Sequence, residues 1–454
     1  MASLLLKNCF YIFPGADESP RFGGDIFIRD HRIEGVATRI DEPADGVLDC
    51  SHCVVVPGFV NTHHHFYQTL TRNLPAVQNA ELFDWLVYLY EIWKHLDEEA
   101  VACGSLLAMG ELLKTGCTAT TDHHYVYPKG VTADLMGTQF AAADLLGMRF
   151  APCRGSMSLS KKDGGLPPDS VVQTEKEILS DSRRVIEAYH DPAPFSMHRV
   201  LLAPCSPFSV TEELLRQTVE LARHYDVRLH THLAETHDEN AFCQKVYGRR
   251  PLAVMEDCGF LGPDVSFAHG IHFNDDELRR LSETGTHIAH CPTSNMRLGS
   301  GICRAREMLA AGINVGLAVD GSASNDASDM LGEIRSALLL QRVRYGARAL
   351  DAETSIKLAT ENGARLLGFE RIGRIRPGWA ADLALFDINK LEYCGALSDP
   401  LAAILFSGYN HGACHTIVNG RIVVENGRLT GLDEADLVER AGRVTEKLYR
   451  KANI

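Results

Sequence analysis

Short apolar runs alternate with amphipathic stretches through the middle of the chain. The stretches EEAVACGSLLAMGELLKTG and TEELLRQTVELARHY, for example, repeat apolar residues at the spacing of a helix that buries one face. Apolar runs of strand length lie between such stretches: VVVPGFVNT, CTATTDHHY, MRFAPCRGS, VLLAPCSPF, VRLHTHLAET, VSFAHGIHF, THIAHCPTS and INVGLAVDG. Eight strands that alternate with helices predict an α/β fold with a (β/α)₈ barrel, which we place at residues 57–373.

The two ends of the chain have a different pattern. Residues 1–56 and 374–432 alternate apolar and polar positions with a period of two, and glycines separate the short runs. Asn419-Gly420 and Asn426-Gly427 are typical hairpin turns. We therefore predict a small β-sandwich built from both chain ends. The last stretch, residues 433–454, has helical periodicity and predicts a C-terminal helix.

Composition narrows the choice of partner. The formal net charge of -14 and the lack of long basic runs argue against nucleic acid, because affinity for phosphates rests on basic groups. No stretch approaches the length of an apolar membrane span. The 13 cysteines are odd in number and lack the spacing of a disulfide framework, so we expect reduced thiols and a cytoplasmic protein. We therefore expect the protein to bind a small-molecule ligand and to assemble into a homo-oligomer.

Polar side chains at the ends of the predicted strands suggest a metal site. His63 and His65 are two residues apart on one strand, so both point to the same face. The fifth run supplies His230 and His232, and the eighth ends at Asp320. The carboxyl ends of barrel strands form the active-site face, so these side chains should meet there. Three imidazoles and one carboxylate suit Zn²⁺, or Fe²⁺ at some sites, with an open position for water.

Two further residues have the placement of proton-transfer groups. Glu235 follows His232 by three residues, where the strand gives way to a loop, so its carboxylate can reach the attacking water without being a ligand. His269 ends the sixth run and is placed to polarise the attacked centre. His64 lies between the first two histidines, should point the other way, and is interpreted as structural.

Substrate contacts are predicted at the same face. The amide of Gln68 both donates and accepts, which suits a lactam edge, and the Arg154 guanidinium offers a planar fork for a ring oxygen. Trp85 and Tyr125 could cover a flat ring. His123 is a further polar candidate at the end of the second strand.

These motifs together resemble the amidohydrolase superfamily, and within it the branch that contains cytosine deaminase. PGFVNTHHH resembles the branch's PG-x4-HxH motif, HLAET its HxxE motif and AVDGSASND its metal-binding aspartate segment. PTSNMRLGSG and IRPGWAADLALFD resemble its PxSN and PGxxADL signatures, and the resemblance covers essentially the whole chain. It implies metal ligands at His63, His65, His232 and Asp320. It also implies Glu235 as proton shuttle, His269 as its partner, and Asp320 as a second group that activates water.

The resemblance also bears on the number of metals and on the reaction. Barrels of this kind that hold two ions bridge them with a lysine at the end of the fourth strand, but VLLAPCSPF contains none, which predicts one ion. HHHFYQTLTR, RGSMSLSKKDGGLPPDS and APCSPFSVT resemble the deaminases that act on 8-oxoguanine and isocytosine. The implied reaction is hydrolytic removal of an exocyclic amine, with urate or uracil as the product. Guanine or cytosine deamination, triazine (hydroxyatrazine-type) aminohydrolysis and a non-catalytic assembly role remain as alternatives.

Overall fold

The computed structural model describes residues 3–408 and 410–454. Short strands precede the barrel where the sequence alternates apolar and polar residues: β1 (Ser3–Lys7), β2 (Tyr11–Ile12), β3 (Arg21–Phe22), β4 (Asp25–Arg29), β5 (Arg32–Ala37), β6 (Gly46–Asp49) and β7 (Cys53–Pro57). One sheet has the order β5-β4-β1-β6, while β2, β3 and β7 join a second sheet. The first 57 residues therefore build one sheet and part of another.

The strands of the middle segment pair in parallel and curl into a barrel. They are β8 (Phe59–Asn61), β9 (Cys117–Thr120), β10 (His123–His124), β11 (Arg149–Phe150), β12 (Cys153–Ser156), β13 (Leu201–Pro204), β14 (Arg228–Leu233), β15 (Val265–His269), β16 (His287–His290) and β17 (Val315–Leu317). Their orders are β11-β9-β8 and β10-β12-β13-β14-β15-β16-β17. The Thr62 amide donates to the Leu317 carbonyl oxygen over 3.1 Å, which connects the first and last strands. Each predicted run contains a barrel strand, and the predicted fold class is confirmed.

Helices connect and surround these strands. Their bounds are α1 (Leu82–Trp93), α2 (Glu98–Lys114), α3 (Leu135–Leu146), α4 (Glu175–Tyr189), α5 (Glu212–His224), α6 (His237–Tyr247), α7 (Pro251–Asp257), α8 (Asp275–Thr284), α9 (Pro292–Arg297), α10 (Ala305–Ala310), α11 (Ser322–Asn325), α12 (Met330–Tyr345), α13 (Ala352–Leu358) and α14 (Glu361–Leu367). In α5, Leu214, Leu215 and Val219 form the buried face, and the Thr211 side chain caps the first turn by accepting from the Leu214 amide. Among the helices of the described chain, none is long and apolar enough to cross a membrane.

The C-terminal segment returns to the sheet that the N-terminal strands began. It contains β18 (Leu383–Asp387), α15 (Pro400–Phe406), β19 (His415–Val418), β20 (Arg421–Glu425), β21 (Arg428–Leu429) and α16 (Glu434–Ala452). The second sheet has the order β21-β20-β19-β18-β7-β2-β3, with β18 antiparallel to β7. Ile28, Val55, Leu385 and Ile417 pack in one apolar core, so both chain ends share it. Helix α15 interrupts the range 374–432 and packs against α12 and α13, while α16 packs against α2.

A buried ion pair joins the barrel to this terminal β-structure. Arg149 of β11 donates through Nε to Asp382 Oδ2 over 3.0 Å and through Nη2 to Oδ1 over 3.2 Å. Asp382 lies one residue before β18 and also accepts from the Asn419 amide over 2.7 Å. Both charged side chains are almost fully buried. Asp382, the aspartate of the PGxxADL motif, therefore helps to join the barrel to the terminal β-structure.

Candidate active site

A small cavity that is partly open to solvent lies at the carboxyl ends of the barrel strands. Its walls come from strand ends and from helix α1, and the lining residues are His65, Gln68, Leu82, Trp85, Leu86, Tyr90, Tyr125, Cys205, Phe208, His232, Glu235, His269, Leu298, Asp320 and Ser324. Polar groups from distant strands thus share one cavity with apolar and aromatic side chains. This is the usual composition of a site for a small organic ligand.

Four potential metal donors converge at the floor of this cavity. Asp320 Oδ1 lies 3.4 Å from Nε2 of His63 and 3.4 Å from Nε2 of His65. The Nε2 atoms of His65 and His232 are 3.2 Å apart. Ligand atoms about 2.1 Å from a tetrahedral ion lie about 3.4 Å from one another, so these spacings match such a shell. His63 Nε2 is buried and has no hydrogen-bond partner among the described residues, and His63 belongs to two groups of potential ligands, His63, His65, His123 and His232 and His63, His269 and Asp320.

The opposite nitrogen of each imidazole is already engaged. The partners of the Nδ1 atoms are His230 Nε2 for His63 (2.8 Å), the His123 carbonyl oxygen for His65 (2.9 Å) and the Cys205 carbonyl oxygen for His232 (2.6 Å). Such bonds orient a ligating imidazole and leave Nε2 free for the ion. His230, the alternative histidine of the fifth strand, therefore supports His63 from behind. It is held in turn by Ser266, with 2.7 Å between its Nδ1 and the hydroxyl.

Asp320 is held by hydrogen bonds on both oxygens. Oδ2 accepts from the hydroxyls of Ser294 (2.6 Å) and Ser324 (3.3 Å), and Oδ1 accepts from the Gly321 amide (2.7 Å). Burial alone would raise the pKa of Asp320, but the neighbouring imidazoles, above all that of His63, hold it well below its usual value. The residue has a φ of 66°, a left-handed conformation that is costly for an aspartate. The surrounding structure therefore keeps this carboxylate ionised and aimed at the cluster.

Glu235 and His269 face each other beside the donor cluster. Glu235 Oε2 lies 3.5 Å from His269 Nε2, and both side chains are buried. Burial raises the pKa of Glu235 to about 7, against the opposing effect of His269. The Glu235 amide donates to Glu239 Oε2 over 2.9 Å, and Ala234 just before it has a φ of 55°. A buried carboxyl group with a pKa near neutrality can take up and release a proton at physiological pH.

Three of the five predicted substrate contacts line the cavity, whereas His123 and Arg154 do not. Gln68, Trp85 and Tyr125 are among its walls. His123 lies behind them, because its Nε2 donates to the Ala203 carbonyl oxygen over 2.9 Å and its ring stacks on that of His232. His64 also points away, and its Nε2 lies 2.9 Å from the Ser328 hydroxyl.

Arg154 requires a correction, since the structure directs its guanidinium away from the cavity. Nε donates to Asp181 over 2.8 Å and Nη2 donates to Gln173 over 2.9 Å. The guanidinium carbon also lies 4.0 Å from the centroid of the Tyr127 ring. Nη1 bonds to the Gly155 carbonyl oxygen, and Arg154 is not among the residues that line the cavity, so we do not retain it as a substrate contact.

Several residues of the site were missed by the sequence reasoning. Leu82, Leu86 and Tyr90 line the cavity together with Trp85, and their spacing places them on one face of helix α1. That periodicity was available as a signal, although only Trp85 was selected from it. Cys205, Phe208, Leu298 and Ser324 also line the cavity. All four lie in the quoted motifs APCSPFSVT, PTSNMRLGSG and AVDGSASND, although none was selected as a site residue.

Comparisons with known proteins agree on one family. The profile described as "Amidohydrolase family" matches residues 54–423. A protein named 8-oxoguanine deaminase, from Pseudomonas aeruginosa, is 48% identical over 97% of this chain and 98% of its own length. Hydroxydechloroatrazine ethylaminohydrolase from Pseudomonas sp. (strain ADP) is 36% identical, over 94% of this chain and 91% of its own. The crystal structure of atrazine chlorohydrolase from Arthrobacter aurescens TC1 complexed with zinc superposes with a TM-score of 0.93 at 29% identity, covering 97% and 100% of the two chains.

Proposed function

The chain belongs to the amidohydrolase family, as its motifs predict, and we propose that it deaminates 8-oxoguanine to urate and ammonia. It is a hydrolase that acts on carbon–nitrogen bonds, and its relatives include deaminases of several amino-substituted heterocycles. Isocytosine, which has the same amino-amidine fragment, is the second proposed substrate and would give uracil. The observation that carries the proposal is the placement of Glu235, 3.5 Å from His269, in the wall of the cavity that His65, His232 and Asp320 also line.

The enzyme uses a divalent metal ion, as the donor cluster and the zinc-bound relative indicate. His63, His65, His232 and Asp320 would hold one ion, with Zn²⁺ preferred and Fe²⁺ as the alternative. Such an ion, when bound, acts as a Lewis acid that lowers the pKa of a water molecule. The imidazoles are suited to this because their Nδ1 atoms are engaged elsewhere, so each presents an unprotonated Nε2.

Glu235 moves the protons that the reaction requires. The carbon that bears the amine gains a bond to the water oxygen, and Glu235 transfers a proton from that water to the adjacent ring nitrogen. His269 stabilises the charge that develops on the oxygen, and Asp320 helps Glu235 to activate the water. The carbon–nitrogen bond then breaks as the carbonyl forms: Glu235 takes the remaining hydroxyl proton and delivers it to the amine, which leaves as ammonia. Because burial holds the pKa of Glu235 near 7, the same group can serve as base and as acid.

The cavity walls favour a flat, neutral ligand. Trp85, Tyr125 and Phe208 supply aromatic faces, and no lysine or arginine is among the described lining residues. A ligand with a phosphate or carboxylate would find no countercharge there, whereas a free base would not need one. The Gln68 amide is the polar group suited to a lactam edge, and its Oε1 lies 3.4 Å from the Ala323 amide nitrogen. A neutral oxopurine or aminopyrimidinone meets these conditions.

A substrate panel tests the proposal. Ammonia release is measured from 8-oxoguanine, isocytosine, guanine, cytosine and a hydroxylated triazine with the metal-loaded protein. The Glu235→Gln variant, purified in the same way, is the blank for contaminating deaminases. We expect kcat/KM for 8-oxoguanine or isocytosine to exceed that for guanine or cytosine, because buried polar groups left unpaired by a wrong ligand cost orders of magnitude. A preference for guanine would contradict the proposal.

Metal content tests the mononuclear part of the proposal. Elemental analysis should find about one zinc or iron per chain, because the donor set supplies a single tetrahedral shell. The fourth barrel strand, β13, ends at Pro204 and has no lysine that could bridge a second ion. Two ions per chain would contradict this model.

Triazine aminohydrolysis is the second candidate function. The similarity to hydroxydechloroatrazine ethylaminohydrolase over 94% of the chain favours it, since that relative's name places it in this reaction class. The same panel separates the candidates: turnover of the triazine, with neither 8-oxoguanine nor isocytosine consumed, would assign the chain to the triazine group.

A further inference from the structure

Two neighbouring residues of helix α9, Ser294 and Asn295, contact polar groups of the active site from outside the cavity. Both side chains are buried, with at most 1% of their surface exposed. They belong to the PTSN motif, and neither is among the residues that line the cavity. Their contribution must therefore pass through the side chains that they touch.

Ser294 holds one of the two carboxylate oxygens of Asp320. Its hydroxyl donates to Oδ2 over 2.6 Å, and Ser324 donates to the same oxygen over 3.3 Å. The other oxygen, Oδ1, lies 3.4 Å from His63 Nε2 in the donor cluster. Any rotation of the carboxylate that withdraws Oδ1 from the cluster would break the short bond to Ser294, and bonds to ionised groups are the strong ones.

Asn295 holds the ring of His269. Its Oδ1 accepts from His269 Nδ1 over 2.9 Å, so Nδ1 carries a proton whether the ring is neutral or charged. Nε2 then faces Glu235, whose Oε2 is 3.5 Å away. An amide oxygen is neutral and orients the ring without adding charge to the site. Asn295 Nδ2 is buried without a hydrogen-bond partner in the described chain, so the contact to His269 is the polar contact that retains this side chain.

We propose that Ser294 and Asn295 are positioning residues with separable tasks. Ser294 sets the affinity for the metal ion through Asp320, and Asn295 sets the geometry of proton transfer through His269. The second task rests on the proposed function, whereas the first is measurable without any substrate. Removing partners of this kind changes metal affinity or activity by about 10–100-fold in metalloenzymes.

Zinc affinity tests the role of Ser294. Metal-stripped protein is titrated with Zn²⁺ in competition with a chromogenic chelator. Ser294→Ala should raise the dissociation constant about 10-fold or more, and Ser324→Ala, which removes the longer bond, should raise it less. Ser105→Ala is the matched control, because Ser105 is equally buried but donates to the Val101 carbonyl oxygen in helix α2. Its dissociation constant should match that of the wild-type protein.

Steady-state kinetics of the zinc-saturated protein test the role of Asn295. The nearly isosteric Asn295→Leu should lower kcat about 10–100-fold, with KM and zinc affinity close to the wild-type values. Asn295→Asp keeps an oxygen that can accept from His269 Nδ1 and should recover part of the lost kcat. Thermal melting establishes that each variant folds, and Asn295→Ala replaces the leucine variant if that one does not.

The two tasks can be refuted separately. Unchanged zinc affinity in Ser294→Ala overturns the first, and the folded Ser324→Ala decides the same point if Ser294→Ala does not fold. Unchanged kcat in Asn295→Leu, or weakened zinc affinity in that variant, overturns the second. If the wild-type protein deaminates no heterocycle, the proposed function fails, yet the zinc titrations still decide the role of Ser294.

Discussion

The ion pair between Arg149 and Asp382 offers the sharpest test of how the barrel and the terminal β-structure are held together. Asp382→Ala removes the carboxylate that accepts from Arg149 Nε and Nη2 and from the Asn419 amide. The guanidinium then remains buried, with the carbonyl oxygens of Phe195 and Ser196 and the side-chain oxygen of Asn419 as remaining acceptors. We therefore expect the protein to lose stability.

The magnitude follows from the number and kind of bonds that are lost. Breaking a buried pair by removing one partner costs about 3–5 kcal/mol, and each hydrogen bond to a charged group contributes about 1.5–3 kcal/mol. Because part of the guanidinium keeps its acceptors, we expect about 3 kcal/mol, which is about a hundredfold in the unfolding constant. The double variant Arg149→Met with Asp382→Leu leaves no buried charge and should be more stable than Asp382→Ala.

Urea denaturation of the metal-loaded protein, followed by circular dichroism and tryptophan fluorescence, measures these differences. Asp276→Ala is the control, because Asp276 pairs with Arg279 on the surface, where the two side chains are 83% and 65% exposed. It should change the free energy of unfolding by less than about 0.5 kcal/mol. A loss below about 1 kcal/mol for Asp382→Ala, or a double variant no more stable than the single one, would refute the reasoning.

Two further predictions concern the active site and its surroundings. Glu235→Gln should retain the metal but lose at least about 100-fold in kcat, because the amide cannot carry a proton; metal loss together with the activity loss would make Glu235 a ligand or a support instead. Arg154→Met should lower the free energy of unfolding by about 1–3 kcal/mol, since the bonds to Asp181 and Gln173 are lost, while KM stays unchanged. A KM that rises in this variant, measured below the unfolding transition, would return Arg154 to the substrate.

Much of the donor cluster could be predicted because it depends on regular geometry. His63 and His65 share a face by the two-residue period of a strand, and the barrel rule places His232 and Asp320 at the same end. The structure brings these four side chains within reach of one ion, although they lie in or just beyond three strands that are far apart in sequence. Local sequence pattern therefore predicts metal ligands well where they lie at strand ends.

The direction of Arg154 could not be predicted because both faces of a barrel strand are buried. Cys153 of β12 packs in an apolar cluster of the barrel, while Arg154 beside it points out to Asp181 of α4. In a strand that is polar on one face, the hydrophobic pattern would show which residues point inward. Here neighbouring residues are apolar on both faces, so the alternation leaves the inward phase undetermined. His123 points inward, as its stacking on His232 shows, but lies behind the cavity wall, a depth that a period of two does not report.

The hydrogen bonds that orient the metal donors could not be predicted from local sequence pattern, for a different reason. Ser294 meets Asp320 across 26 residues, and His63 meets His230 across 167, each through a single hydrogen bond. Such a bond depends on where two strand or helix ends stand in the closed barrel, and neither end carries a periodicity that reports it. The PTSN motif was visible, but its role was not, because the motif acts through Asp320 and His269 and not through a ligand. The role of such a positioning residue can be inferred only when the side chain that it holds is already located in the structure. The zinc titrations and kinetic measurements on the Ser294 and Asn295 variants therefore test the structure and not the sequence pattern.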